Sequence, residues 1–136
     1  MNQPLPDAIL SKTVLVIDDV QSAQKVVSRI LTRLGFTNVL GAKSLAEAYQ
    51  IIDETYLGLI ITDIHLKDGA GFALIDALKQ RERFVPILFI TSDMDPESWE
   101  TVQKLGQKMT YLLKPFSPET LAAKIQELAA KIQELF

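Results

Sequence analysis

Apolar residues fall into two alternating patterns along the chain. Short runs rich in Val, Ile and Leu occur at TVLVI (13–17), NVLGA (38–42), LGLII (57–61), PILFI (86–90) and TYLL (110–113). Between them, apolar positions recur every three or four residues. Ala23, Val27, Ile30, Leu31 and Leu34 share one helical face, and Gly35 is a natural stop. Ser44 and Glu47 have the spacing of a capping box ahead of Leu45, Ala48, Tyr49, Ile51 and Ile52. Phe72, Leu74, Ile75 and Leu78 mark a third helix. Asp95, with Pro96 at the first helical position, opens a fourth that carries Trp99, Val102 and Leu105 before Gly106. Ser117 and Pro118 open a fifth in the same way. The alternation predicts a (βα)5 chain. Strands that lack polar alternation must be covered on both faces, so the expected fold class is α/β and doubly wound, with a parallel five-stranded sheet between layers of helix. Residues 1–11 read as an N-terminal tail and 12–136 as one domain ending in a long helix.

Composition narrows the chemistry. A chain of 136 residues is the size of one domain. There is no cysteine, which excludes disulfides and thiolate metal sites, and the one histidine argues against zinc. Carboxylates remain as ligands for a harder ion. The net charge is −3, with 14 basic and 17 acidic residues interspersed, unlike the basic stripe of a nucleic-acid binder. The first residues, MNQPLPDAILSK, have no charged segment followed by an apolar one. No apolar run approaches the ~20 residues that span a bilayer. The expectation is a cytoplasmic protein without direct nucleic-acid or membrane contact.

Parallel doubly wound sheets bind ligands at the carboxyl ends of their strands. The first strand ends in Asp18 and Asp19, the third runs on to Asp63, the fourth ends in Thr91 and Ser92, and the fifth ends in Lys114. Three carboxylates on one rim repel each other and stay ionised together only beside positive charge. Mg²⁺ suits them: it takes oxygen ligands, keeps several waters and favours one or two carboxylates plus a phosphate oxygen. A threonine hydroxyl and a lysine ammonium suit an incoming phosphoryl group, and a carboxylate can itself be the nucleophile. Each residue alone has an ordinary reading. Asp63 is a turn residue, Asp18–Asp19 a helix cap, Thr91 a solvated strand end and Lys114 a snorkelling surface residue. Four strands supplying complementary groups to one rim is what sets the constellation apart.

The stretches VLVIDD, LIITDIHLKDGAGFALIDALK, PILFITS and YLLKPF resemble, in order and approximate spacing, the receiver domains of two-component response regulators, including the single-domain chemotaxis type. The resemblance spans about residues 12 to 132. It implies the flavodoxin-like strand order 2-1-3-4-5 and a phosphoacceptor at Asp63, loaded by a histidine kinase or a histidine phosphotransfer protein. It implies Mg²⁺ held by Asp18, Asp19, Asp63 and the backbone carbonyl of His65. Thr91, with Ser92, would contact the phosphoryl group. Lys114 would pair first with Asp63 and then with the phosphoryl group. Tyr111 would report the state, and Lys114–Pro115 would be cis. Three departures stand out. Lys67 replaces a common proline, which implies a less rigid loop. Five steps rather than four separate Gly106 from Tyr111, and Gln107 replaces a common alanine. His65 and Asp93 hold the positions that tune phosphoryl lifetime.

Other readings on the same architecture fit less well. A metal-dependent phosphohydrolase of the haloacid dehalogenase type needs a second aspartate two residues after the first, where this chain has Val20. A flavin carrier needs a Ser/Thr/Gly-rich loop where this chain has DDVQSAQK. A pseudo-receiver that binds partners without phosphorylation would not need the full acidic set, Thr91 and Lys114. At the C-terminus AKIQELA is followed by AKIQELF, placing Leu121, Ile125, Leu128, Ile132 and Leu135 at alternating four- and three-residue spacing. That spacing fits the inward face of the fifth helix and also a parallel two-stranded coil. A homodimer through this helix, or through the face of the fourth helix, fifth strand and fifth helix, is the matching expectation. That same face is the expected contact for a downstream protein or for an output domain outside this sequence.

Overall fold

The computed structural model describes residues 5–105 and 108–133, with the side chains of the last two left out. Its elements are α1 (Asp7–Leu10), β1 (Thr13–Ile17), α2 (Gln21–Leu34), β2 (Asn38–Ala42), α3 (Leu45–Glu54), β3 (Leu59–Asp63), β4 (His65–Leu66), β5 (Gly69–Ala70), α4 (Ala73–Gln80), β6 (Ile87–Thr91), α5 (Pro96–Gln103), β7 (Met109–Leu113) and α6 (Pro118–Gln133). The main sheet is parallel, in the order β2-β1-β3-β6-β7. This is the doubly wound α/β fold and the strand order expected from the sequence.

The pleat divides each strand between two cores. Leu15, Ile17, Ile60, Ile87 and Phe89 face a cluster with Ala48 and Ile52 of α3, Leu74 and Leu78 of α4, and Val102 of α5. Val14, Val16, Leu59, Ile61, Leu88 and Ile90 face the other, with Val27 and Leu31 of α2 and Leu121, Ile125 and Leu128 of α6. Burial of apolar side chains on both faces is why these strands show no polar alternation. The edge strand β2 is the exception: four of its five residues are partly or fully exposed.

The stop and start signals act as physical caps, with one difference. Gly35 ends α2 at φ +110, a left-handed conformation open to glycine. Asp95 accepts from the Glu97 and Ser98 N–H groups at the head of α5. At the head of α3, Ser44 Oγ accepts the Glu47 N–H (3.1 Å), but Glu47 returns its carboxylate to the Lys43 N–H rather than to Ser44. Half of the expected box is therefore present.

The expected tail is partly built into the core. Leu5 is buried in the cluster of Phe36, Leu31 and Ile125, with Ile9 and Leu10 packed against it. The short α1 brings these apolar residues to the amino-terminal end of the sheet, where Leu10 lies against Gly35. At the other terminus Leu121, Ile125 and Leu128 point into the second core. The last two heptad positions, Ile132 and Leu135, and the connection at Gly106 and Gln107 lie outside the described side chains and residues.

Candidate functional site

The carboxyl edge of β1, β3, β6 and β7 gathers the polar residues. The ladder continues past β1, with the Asp18 N–H donating to the Ala42 carbonyl (3.1 Å), so Asp18 leaves the sheet in register. Its Oδ1 accepts the Val20 N–H (2.9 Å), a turn that leads into α2. From α2, Gln24 Nε2 donates to the Ala42 carbonyl (2.8 Å) and braces the same corner. Asp19 follows, half-buried. Asp63 closes β3 opposite Ile90. Fully buried Thr62 donates its hydroxyl to the Asp63 carbonyl at 2.9 Å.

Both oxygens of the Asp63 carboxylate are engaged. Oδ1 accepts the His65 N–H at 3.0 Å, and Oδ2 accepts from Lys114 Nζ at 2.8 Å. Lys114 is aimed by its own backbone, whose N–H donates to the Thr91 carbonyl (2.8 Å) as the last rung between β6 and β7. The Lys114–Pro115 peptide is cis. The Thr91 side chain is buried, and its hydroxyl donates to the Asp93 carbonyl at 2.7 Å rather than toward Asp63. Ser92, Asp93 and the His65 side chain are exposed. Tyr111, half-buried on β7, meets Trp99 edge to face at 4.8 Å, with Lys124 Nζ 5.9 Å from its ring centre. The edge thus joins Asp18, Asp63, Lys114 and Thr91, with Asp19 beside them. Tyr111 stands apart, between Trp99 of α5 and Lys124 of α6.

Charge in this corner is unbalanced. Burial pushes the Asp18 carboxyl above its usual range, and repulsion from Asp63 and Asp19 adds to this. The Val20 N–H and the Lys114 ammonium pull the other way. A buried carboxylate held among others is a site that gains from a cation. Among the described residues, no group of three or more His, Cys, Asp or Glu side chains is disposed to hold a metal ion by itself. That donor set still fits Mg²⁺, which completes its shell with water and substrate oxygens.

The structure adds features that the sequence reading missed. After Asp63 the chain folds into a small hairpin of β4 and β5 around Lys67 and Asp68. Asp68 reaches across to α3, with Oδ1 accepting the Leu45 N–H (3.0 Å) and Oδ2 the Ala46 N–H (3.1 Å). The Asp68-Gly69 pair, a common hairpin dipeptide, was the available signal. The long-range cap had none, because α3 lies 23 residues away in sequence.

The fold and its edge define a flavodoxin-like domain with an acidic, lysine-bearing site at the switch point of its sheet. The sequence model of the response regulator receiver domain matches residues 14–126. The chain is 30% identical over 115 residues to chemotaxis protein CheY1 of Helicobacter pylori, covering 82% of this chain and 92% of that protein. It is 32% identical over 124 residues to the transcriptional regulatory protein GltR of Pseudomonas aeruginosa, where it spans 90% of this chain but half of the relative. The solved structure of Vibrio cholerae chemotaxis protein CheY4 superposes with a TM-score of 0.78 at 30% identity, over 87% of this chain and 98% of that one. The chain belongs to the receiver-domain family of two-component response regulators. No helix among the described residues is long and apolar enough to cross a membrane.

Proposed function

We propose that this domain takes a phosphoryl group from the phosphohistidine of a kinase or phosphotransfer protein onto Asp63 and changes its protein-contact face as a result. The observation that carries this reading is the Asp63 carboxylate itself. It ends a central strand, is held by the Lys114 ammonium at 2.8 Å and the His65 N–H at 3.0 Å, and lies beside buried Asp18.

In the transfer a carboxylate oxygen of Asp63 bonds to phosphorus as the phosphorus–nitrogen bond to the donor imidazole breaks. The imidazole leaves with its electron pair and takes a proton from water. The transition state is loose, so the domain acts by positioning and neutralising charge. Lys114 follows the charge from the carboxylate to the phosphoryl oxygens. Asp18, Asp19, Asp63 and the His65 carbonyl are the residues that would hold Mg²⁺, which supplies further neutralisation of the transferring group. Thr91 gives up its bond to the Asp93 carbonyl to donate to a phosphoryl oxygen, with the neighbouring Ser92 available to the same group. His65 and Asp93 flank the acceptor and set how water reaches the acyl phosphate. The domain is an acceptor rather than an enzyme in the usual sense.

Two grooves support the partner reading. One of about 640 Å³ runs beside Lys114 between Val26 and Ile30 of α2 and Phe116, with Arg29 and Arg33 on its rim, suited to the donor. The other, about 660 Å³, lies between Trp99, Tyr111, Leu113 and Lys124, suited to a downstream protein.

The test is incubation with acetyl phosphate and Mg²⁺ followed by intact-mass measurement. A gain of one phosphoryl group that disappears in Asp63→Asn is expected. No gain, or a gain that survives Asp63→Asn, overturns the reading.

A further inference from the structure

A lysine stands at position 67, where the family resemblance has a common proline, and its presence implied a less rigid loop. The segment after Asp63 is nevertheless closely tied at both ends. At its base the Gly71 N–H donates to the Ile64 carbonyl at 2.7 Å. A Cβ on Gly71 would sit 2.6 Å from the Asp63 carbonyl oxygen, so the returning chain lies directly against the acceptor's backbone. Between base and tip, β4 and β5 pair His65 with Ala70 and Leu66 with Gly69. At the tip the hairpin meets α3. Asp68 accepts both the Leu45 and Ala46 N–H groups. Leu66 is buried in the same cluster as Leu45. Gly69, at φ +148, brings its backbone so close that a Cβ would lie 2.9 Å from Leu45 Cδ1.

Asp68 is exposed, so its two bonds are not forced by burial. They occupy free N–H groups of the first turn of α3, where a carboxylate is favoured. The Asp68 carboxyl accordingly lies below its ordinary range, chiefly through the Leu45 N–H. Ser44 already caps this helix through the Glu47 N–H. The helix therefore has its own local cap, whereas Asp68 makes the only hydrogen bonds between the hairpin tip and α3 among the described residues. The tie runs from α3 through Asp68 and the hairpin to the His65 N–H, which holds Asp63 Oδ1.

We propose that Asp68 is a positioning residue for the acceptor centre: by clamping the β4–β5 hairpin to the head of α3 it fixes the His65 backbone against Asp63, in place of a stiff proline. This rests on the proposed function, because the His65 carbonyl matters only if the centre takes Mg²⁺ and phosphoryl.

Three variants test it: Asp68→Ala, Asp68→Asn, which retains one acceptor oxygen, and Ser44→Ala, which removes the helix's own cap without touching the hairpin. Amide hydrogen exchange of residues 64–71 reads the clamp directly, and calorimetric titration with Mg²⁺ reads its effect on the centre. Asp68→Ala should exchange faster across the hairpin and bind Mg²⁺ about 10-fold more weakly, the low end for residues that orient metal ligands. Asp68→Asn should fall between it and the native protein. Ser44→Ala should lower stability and leave Mg²⁺ affinity and hairpin exchange unchanged. Native exchange and Mg²⁺ affinity in Asp68→Ala, or equal losses in Ser44→Ala, would reduce Asp68 to a helix cap and overturn the inference while the proposed function stands. Failure of the native protein to bind Mg²⁺ overturns the proposed function and this inference with it.

Discussion

Replacing Lys114 by methionine removes the cation from the acidic edge and keeps most of the stem's volume. The pair it breaks is 2.8 Å long. At that distance and an effective dielectric near 20, the Coulomb energy is roughly 6 kcal/mol. Lys114 is 34% exposed and Asp63 13%, so desolvation and screening remove much of that. The net value falls toward that of a charged hydrogen bond, about 1.5–3 kcal/mol, and the partly exposed lysine argues for about 2. Urea unfolding of the metal-free protein should therefore show a midpoint lower by about 1 M, for a slope near 2 kcal/mol per molar. Mg²⁺ should behave in the opposite sense. Lys114 repels a divalent ion, so relieving about 1 kcal/mol should tighten Mg²⁺ roughly fivefold in the variant. Linkage then requires the stability loss at saturating Mg²⁺ to shrink by the same amount. The two measurements check each other. Unchanged metal-free stability would mean that the ion pair contributes nothing. Weaker Mg²⁺ binding by the variant would mean that the lysine positions the carboxylates rather than competing with the metal.

Burial and like charge raise the Asp18 pKa, so its ionisation costs the metal-free fold stability. The penalty is absent below the ordinary aspartate value of 3.8, where both states are protonated, and complete above the raised value. Asp18→Asn should thus be more stable than the native protein at neutral pH without metal, with the advantage vanishing in acid, and should bind Mg²⁺ worse; a variant less stable at neutral pH refutes the sign. Gly71→Ala sets a Cβ against the Asp63 carbonyl oxygen at 2.6 Å, and backbone cannot give way as a flexible side chain does. It should cost about 1–3 kcal/mol in urea unfolding and slow phosphoryl uptake, and native behaviour in both would contradict that packing. Trp99 is the protein's one tryptophan and touches the Tyr111 ring, so acetyl phosphate with Mg²⁺ should change its emission in the native protein and not in Asp63→Asn.

What the sequence made legible follows from range. The central strands β1, β3 and β6 were readable because burial on both faces leaves continuous apolar runs. Asp95 and Gly35 were readable because caps act within a few residues. The carboxyl-edge residues were readable because parallel strands bring all their ends to one rim. Longer-range pairings were not. Asp68 caps a helix that precedes it by 23 residues, and nothing local distinguishes it from a solvated turn aspartate. Leu5, Ile9 and Leu10 were too few to signal a helix, and only the exposed end of the second core gave them something to cover. Glu47 had the right spacing for a reciprocal box, yet its carboxylate went to Lys43, with which it also forms an ion pair at 3.7 Å.

The same packing sets how far the proposed switch can move. Helix α5 is joined to Thr91 by the loop of residues 92–95 and is the most lightly held of the helices that cover the first core. It buries Val102 alone, where α4 buries Leu74, Ile75, Ala77 and Leu78. Its other main anchor is a chain of rings, with Phe72 to Phe89 at 4.9 Å, Phe89 to Trp99 at 6.4 Å and Trp99 to Tyr111 at 4.8 Å. Elements with little buried surface open at the lowest free-energy cost. Moving the Thr91 hydroxyl from the Asp93 carbonyl to a phosphoryl oxygen therefore pulls on the part of this face that yields first. Trading that neutral bond for a charged one gains about 1–2 kcal/mol. Carrying a two-state equilibrium from 1:99 to 99:1 takes about 5.5 kcal/mol. The threonine exchange alone falls short of that span. Phosphorylation should accordingly shift the populations of the α5 face in part, and a bound partner that prefers the shifted face supplies the remainder.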